Sequence, residues 1–208
     1  MGDVWAIVVA AGSGRRFGGA KQYEPLAGRR VIDWSLAAAR TAADGVVLVV
    51  SPAHEGDEEA AADAVVAGAD TRSGSVRAGL AAVPADAEVV VVHDGARPLA
   101  DAALFRAVVE AVRDGADAAV PGVPVIDTLR AHGGGSVDRE GLVAVQTPQA
   151  FRAGRLRAAH AGTAEATDDA SLVEAAGGKV VVVNGSPTNL KITRRDDLVV
   201  AEALLRAR

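Results

Sequence analysis

The run Ala10-Ala11-Gly12-Ser13-Gly14-Arg15-Arg16-Phe17-Gly18-Gly19-Ala20-Lys21 directly follows an apolar segment and carries the residue types of a phosphate site. Glycines let the backbone turn sharply and bring its N–H groups close to an anion. Two arginines and a lysine can neutralise a triphosphate, and an arginine can clamp two oxygens at once. Two better-known phosphate loops are excluded. Phe17 stands where a third dinucleotide-binding glycine would sit, and no Gly-Lys-Ser/Thr closes the segment. The plainer alternative is a flexible glycine turn with solvated basic residues; placement directly after a buried strand weighs against it. A second candidate is His93-Asp94-Gly95-Ala96-Arg97-Pro98. A carboxylate at the carboxyl end of a strand, facing a basic loop, is a natural Mg²⁺ ligand, because this ion takes one or two carboxylates plus substrate phosphates. The competing assignment makes Asp94 a turn cap, Arg97 a surface charge and His93 a satisfied core histidine without catalytic role.

Such loops need strands to present them. β-Branched runs occur at Val4 to Ala10, Val46 to Ser51 and Val89 to His93, with a weaker one at Ala116 to Pro121 and a fifth at Val180 to Asn184. Their continuous apolar character suits strands covered on both faces. Val31 to Thr41 and Ala102 to Arg113 have helical spacing, and a final helix is expected from Arg195. Alternating strands and helices imply an α/β fold, a Rossmann-like, mostly parallel sheet flanked by helices, whose ligands bind beyond the carboxyl ends of the strands. From Val123 to Gln146 the pattern changes. Loose alternation around Gly133-Gly134-Gly135 predicts a projecting β-hairpin arm, with a disordered loop as the alternative.

Composition bounds the function classes. The chain has 208 residues, half of them apolar, with 46 alanines, 32 valines and six aromatic residues. That length suits one domain, spanning 1–208, whose core is built from small aliphatic side chains. A net charge of −5 disfavours generic nucleic-acid or membrane-surface binding. The absence of cysteine excludes disulfides, zinc thiolates, thiol catalysis and iron–sulfur clusters. No apolar run approaches the roughly 18 residues of a membrane span, and the amino terminus reads as a strand, so a cytoplasmic protein is expected.

Taken in order, the motifs resemble the 2-C-methyl-D-erythritol 4-phosphate cytidylyltransferases of the non-mevalonate isoprenoid pathway. The pieces are Ala-Ala-Gly-Ser-Gly-Arg-Arg with Lys21-Gln22-Tyr23, Arg72 to Val76, and Val92 to Pro98. They continue with Asp127-Thr128, Asp138-Arg139, Gln146-Thr147-Pro148-Gln149, Thr167-Asp168-Asp169-Ala170-Ser171 and Asn189-Leu190-Lys191-Ile192-Thr193. Together they extend from Ala6 to about Leu204. The resemblance implies transfer of a cytidylyl group from CTP to a sugar-alcohol phosphate with release of pyrophosphate. The residues suit that chemistry independently. The nucleophile would be a phosphate with a second pKa of about 6, already largely dianionic at neutral pH, so no general base is required. Positioning and electrostatics carry such a reaction.

By the same resemblance, Arg16, Lys21 and Lys191 stabilise charge at the reacting phosphates. Asp70, Arg72 and Ser75 line the cytosine pocket, with the backbone of Ala10, Ala11 and Gly12 opposite; Gly14, Asp94 and Gly95 belong to the nucleotide site. Asp94 would hold Mg²⁺ or another divalent cation. Arg97, Thr147, Thr167 and Lys191 would meet the acceptor phosphate. Thr128 and Arg139 lie in the arm, which in this family reaches into the neighbouring subunit of a homodimer. Two departures stand out. The family usually has glycine before the aspartate, where Ala69 stands here, and many members have an acidic residue where Pro187-Thr188 precedes Asn189. Asp94 would then be the sole direct carboxylate ligand, with Asp168 as a substitute that N-capping explains nearly as well.

The nearest rival is a cytidylyltransferase for another polyol phosphate, such as ribitol 5-phosphate; Thr128, Arg139 and the Thr-Pro-Gln segment favour methylerythritol phosphate. A non-catalytic nucleotide-binding regulator would lose the charged residues, yet Arg16, Lys21, Asp94 and Lys191 are present. Because the chain stops at Arg208 after the last helix, no fused second enzyme domain is expected behind it.

Overall fold

The computed structural model describes residues 3–57 and 59–208. Strand β1 (Val4–Val9) enters at once, and the loop after it leads through a single 3-10 turn at Lys21–Tyr23 into a small hairpin, β2 (Pro25–Leu26) and β3 (Arg29–Arg30). Next come α1 (Val31–Arg40), β4 (Gly45–Val50), β5 (Ala64–Ala67), α2 (Arg72–Ala82), β6 (Val89–Asp94), α3 (Ala102–Arg113) and β7 (Ala118–Pro124). The predicted arm holds β8 (Leu129–Arg130) and β9 (Ser136–Val137), and β10 (Val143–Val145) returns from it. The chain finishes with β11 (Gln149–Arg152), α4 (Ala153–Ala159), α5 (Asp169–Ala175), β12 (Val180–Asn184) and α6 (Asp196–Arg206).

Eight strands form one sheet in the order β10-β7-β11-β6-β1-β4-β5, with β12 beside β7. The pairs β1–β4, β1–β6, β4–β5 and β7–β12 are parallel. One strand departs from the expected rhythm: β11 inserts antiparallel between β6 and β7, so these two apolar runs are not neighbours. Its sequence, Gln-Ala-Phe-Arg, has no β-branched run to announce it.

Alternate residues of each central strand feed opposite layers, as the period of a strand requires. Ala6, Val8, Leu48 and Val91 pack with Ile32 and Leu36 of α1 and Phe105 and Val108 of α3. Ile7, Val47, Val49 and Val92 pack with Val76 and Leu80 of α2, Leu156 of α4 and Val173 of α5. Fully burying a valine, leucine, isoleucine or phenylalanine side chain of this kind stabilises the fold by about 1.5–3 kcal/mol. A third cluster ties the loop after β1 to the carboxyl end of the chain, through Phe17, Leu26, Val31, Ile192 and Ala201.

The arm leaves the sheet where β7 and β10 pair antiparallel, Gly122 opposite Val145 and Pro124 opposite Val143. Beyond that stem, Leu129 pairs with Val137 and Arg130 with Ser136, and the predicted glycines form the turn between them.

Candidate active site

From β1 the chain moves outward to β4 and β5, then crosses back to place β6 on the other side of β1. The order of strands therefore reverses between β1 and β6, the place where open α/β sheets bind ligands. A cleft of about 650 Å³ lies at the carboxyl ends of these strands. It is walled by the glycine loop after β1, the turn after β5, Asp94 at the end of β6, and the segment around Lys191.

The glycine loop owes its shape to Gly14. Its φ is +62°, and a Cβ there would lie 1.8 Å from the carbonyl oxygen of Gly19. The Gly14 carbonyl accepts from the N–H groups of Phe17 and Gly18 at 2.8 and 2.9 Å, folding the loop back on itself. Among the described residues, no hydrogen bond engages the N–H groups of Ala11 to Arg16. Phe17 is buried beneath the loop with the Arg195 guanidinium 4.9 Å above its ring. Gln22, to which the sequence assigned no role, is buried and donates from Nε2 to the Ala10 carbonyl at 2.8 Å.

Asp94 is the electrostatic centre. Lys191 Nζ lies 2.8 Å from its Oδ2, Arg97 Nε 3.6 Å from Oδ2, and Arg72 Nε 3.9 Å from Oδ1. Burial opposes its ionisation, but the charges of Lys191, Arg72 and Arg97 prevail and hold the carboxyl well below the usual carboxylate range. Lys21 moves in the opposite sense to its usual behaviour in ion pairs. Burial, then repulsion from Lys191 and Arg16, lowers its pKa against the pull of Asp94. Its Nζ is aimed by a 2.5 Å hydrogen bond to the Ile192 carbonyl. Arg72 is held strongly protonated despite burial, by the charges of Asp169 and Asp94.

The predicted nucleotide residues Ala10, Ala11, Gly12, Gly14, Asp70, Arg72, Ser75 and Asp94 all line this cleft, as do Arg16, Lys21 and Lys191. Gly95 lies just behind it, where a Cβ would press to 3.2 Å on the Ala10 Cβ. Ser75 works on the wall itself: its Oγ accepts from the Ala69 N–H at 3.1 Å and donates to the Thr71 carbonyl at 2.9 Å. The close approach that calls for glycine falls at Gly68, where a Cβ would sit 2.4 Å from the Ala11 Cβ, so Ala69 is accommodated.

The predicted acceptor residues are more dispersed. Arg97 is not a surface charge; it is largely buried and donates to the Asn189 carbonyl at 2.8 Å, behind Lys191. The Thr147 hydroxyl is buried, accepting from the Asp94 N–H at 3.0 Å and meeting His93 Nδ1 at 3.2 Å. Thr167 is exposed at the start of the turn into α5. Thr128 and Arg139 are exposed on the arm and outside the cleft, with Arg139 donating to the Ile126 carbonyl. Asp168 caps α5, accepting from the Ser171 N–H at 3.0 Å, and Thr188 pairs with Ser186 Oγ at 2.8 Å.

Among the described residues no group of three or more metal-ligating side chains converges, so an all-protein cage is absent there. Asp94 fits a hard cation shared with phosphates, through Oδ1, the oxygen less engaged by Lys191. The cleft as a whole offers cations and free backbone donors without histidine or cysteine in its lining, the equipment of a site that binds and rearranges phosphates.

A profile of the 2-C-methyl-D-erythritol 4-phosphate cytidylyltransferases (IspD) matches residues 4–207. The chain belongs to this cytidylyltransferase family. The 2-C-methyl-D-erythritol 4-phosphate cytidylyltransferase of Rubrobacter xylanophilus is 42% identical over all of this chain and 97% of its own length. The bifunctional IspD/IspF enzyme of Dinoroseobacter shibae is 44% identical over 99% of this chain, which spans 54% of that relative. Several other bifunctional relatives are likewise matched over just above half their length. Among solved structures, the cytidylyltransferase of Thermus thermophilus superposes with a TM-score of 0.86 at 41% identity, covering 99% of this chain and 100% of that one. The fold is thus that of the family's solved members.

Proposed function

We propose that this chain, as one nucleotidyltransferase domain, transfers the cytidylyl group of CTP to 2-C-methyl-D-erythritol 4-phosphate and releases pyrophosphate, in isoprenoid precursor biosynthesis. The observation that carries the proposal is the convergence of Arg16, Lys21, Arg72 and Lys191 on one cleft around Asp94. The acceptor phosphate attacks the α-phosphorus of CTP, and pyrophosphate leaves with the bonding pair. Lys21 and Arg16 stabilise negative charge gathering on the α-phosphate, each preorganised donor contributing about 10²–10³-fold in rate. Lys191 leaves its ion pair with Asp94 to meet the incoming phosphates. Mg²⁺, held by Asp94 and phosphate oxygens, would neutralise charge on the nucleotide. Cytosine is gripped by backbone and small polar groups around Ala10, Ala11, Asp70 and Ser75. Arg97 and Thr147 hold Asp94 and the Lys191 segment in place beneath the acceptor phosphate, which Thr167 would also meet.

Thr128 and Arg139 do not line the cleft of their own chain; as the family resemblance implies, they would complete the acceptor site of a second copy, making the working unit a cytoplasmic homodimer joined through the arm. The test is pyrophosphate release in the presence of CTP and Mg²⁺, with methylerythritol phosphate and ribitol 5-phosphate supplied separately. Release with methylerythritol phosphate alone is expected. Release with ribitol phosphate alone would reassign the acceptor, and release with neither would remove the catalytic proposal.

A further inference from the structure

Behind the nucleotide wall lies a buried polar chain that phosphate chemistry does not explain. Asp169, the first residue of α5, is fully buried, and both its oxygens are engaged. Oδ1 meets Nε2 of buried His160, just past the end of α4, at 3.0 Å, and Oδ2 meets Arg72 Nη1 at 2.7 Å. Arg72 stands in the first turn of α2, lines the cleft, and turns its Nε towards Asp94 at 3.9 Å. The guanidinium is thus suspended between a carboxylate in the interior and one in the site.

We propose that Asp169, oriented by His160, is a positioning residue that sets the Arg72 guanidinium for the nucleotide. A planar fork held at one N–H edge keeps a fixed plane, so fewer orientations are lost when its other donors engage an anion. An isolated buried carboxylate is strongly disfavoured, so Asp169 cannot relinquish Arg72 cheaply. His160 Nδ1 is buried without a hydrogen-bond partner among the described residues, which fits a ring carrying its hydrogen on Nε2 and donating it to Asp169. A mere staple between α4 and α5 needs the His160–Asp169 contact alone; the third member reaches across to another layer of sequence, 97 residues away, and ends in the cleft.

The inference rests on Arg72 belonging to the nucleotide site, and the experiment separates the two. CTP with Mg²⁺ is titrated calorimetrically into wild type, Asp169→Asn, Arg72→Gln, the double variant, His160→Leu and His160→Gln, each checked for folding by circular dichroism and thermal melting. Asp169→Asn is expected to weaken CTP binding by about tenfold in the wild-type background and by less than about twofold in the Arg72→Gln background, the signature of coupled residues. His160→Leu should weaken it several-fold, and His160→Gln, which restores a donor, should recover most of that loss. Unchanged affinity in folded Asp169→Asn, or an equal loss in both backgrounds, overturns the inference. If Asp169→Asn does not fold, the histidine pair decides, since equal affinities for the Leu and Gln variants also overturn it. Wild type that does not bind CTP instead defeats the nucleotide assignment itself.

Discussion

Lys21 and His93 show how burial tunes two residues of the same region for different ends. Lys21 is half-buried among other cations, aimed by the Ile192 carbonyl, and its proton is held less tightly than usual because burial and Lys191 disfavour the charge. Its ammonium therefore contributes little to stability. Lys21→Met should lower kcat by about 10²–10³-fold while leaving the melting temperature within a few degrees, measured by steady-state pyrophosphate release and thermal denaturation. Wild-type turnover in that variant would remove Lys21 from the reaction. His93 faces inward, fully buried against Phe105 with ring centroids 5.0 Å apart. Burial drives its pKa down from 6.5 to about 4, so it is neutral in the folded protein at neutral pH. The unfolded chain takes up a proton at this residue as pH falls below about 6.5, whereas the folded chain resists until about 4. Stability is therefore complete above that window and declines through it by roughly 3 kcal/mol. Asp94, whose carboxyl is held below the normal range, has its ion-pair contribution intact above about pH 4 and loses it only at more acidic values. Denaturant melts between pH 7 and 4 should thus show a slope that His93→Asn flattens; an unchanged slope would place the acid sensitivity elsewhere.

At the level of elements, the glycine loop is held from two sides, by Gly14 closing on Gly19 and by Phe17 seated in the cluster shared with the carboxyl-terminal segment. Gly14→Ala places a Cβ where the Gly19 carbonyl stands, so the loop must open. CTP affinity is expected to fall by at least about tenfold while the sheet remains intact, because the strain falls outside the core. Calorimetry and circular dichroism check both halves; wild-type affinity would show that the closed loop is dispensable. The same elements show what could be foreseen from sequence. β1, β4, β6 and β12 were legible as runs rich in β-branched residues, and α3 as a helix with Leu104, Phe105, Val108, Val109 and Val112 on one face. β5 has only four residues, β11 mixes polar and aromatic side chains, and α2 carries two glycines and two serines on a weakly amphipathic turn, so none has a local signature. In the cleft, Arg16, Lys21 and Asp94 announced themselves by following strands. Arg72 and Lys191 emerged only through resemblance, since isolated cations outside a glycine loop look like any solvated charge. Gln22, Asp169 and His160 make buried contacts that no spacing rule encodes.

Across the whole molecule, two asymmetries matter. The net charge of −5 coexists with a cation-lined cleft, so attraction for a polyanion is local and the remaining surface repels it. The second asymmetry is apolar. Ile126 is 82% exposed at the base of the arm, and Val137, Leu142, Val143 and Val145 are also exposed along it, so exposed apolar side chains concentrate there. Val182 of β12 adds to this surface near the arm's stem, where a Cβ on Gly122 would touch both Val182 and Val143. In the homodimer proposed above a second copy would cover this face, and exchange of the two arms would carry each Thr128 and Arg139 to the partner's acceptor site. Light scattering on the purified chain should therefore give the mass of a dimer. Ile126→Asp, which puts a charge into the contact, should shift it towards monomer. The same variant should raise the acceptor KM by about tenfold or more while leaving CTP binding nearly unchanged, because the nucleotide cleft is built within one chain. Arg139→Ala should reproduce the rise in acceptor KM without dissociating the dimer. A monomeric wild type with full activity, or equal effects of Arg139→Ala on both substrates, would sever the arm from the acceptor site.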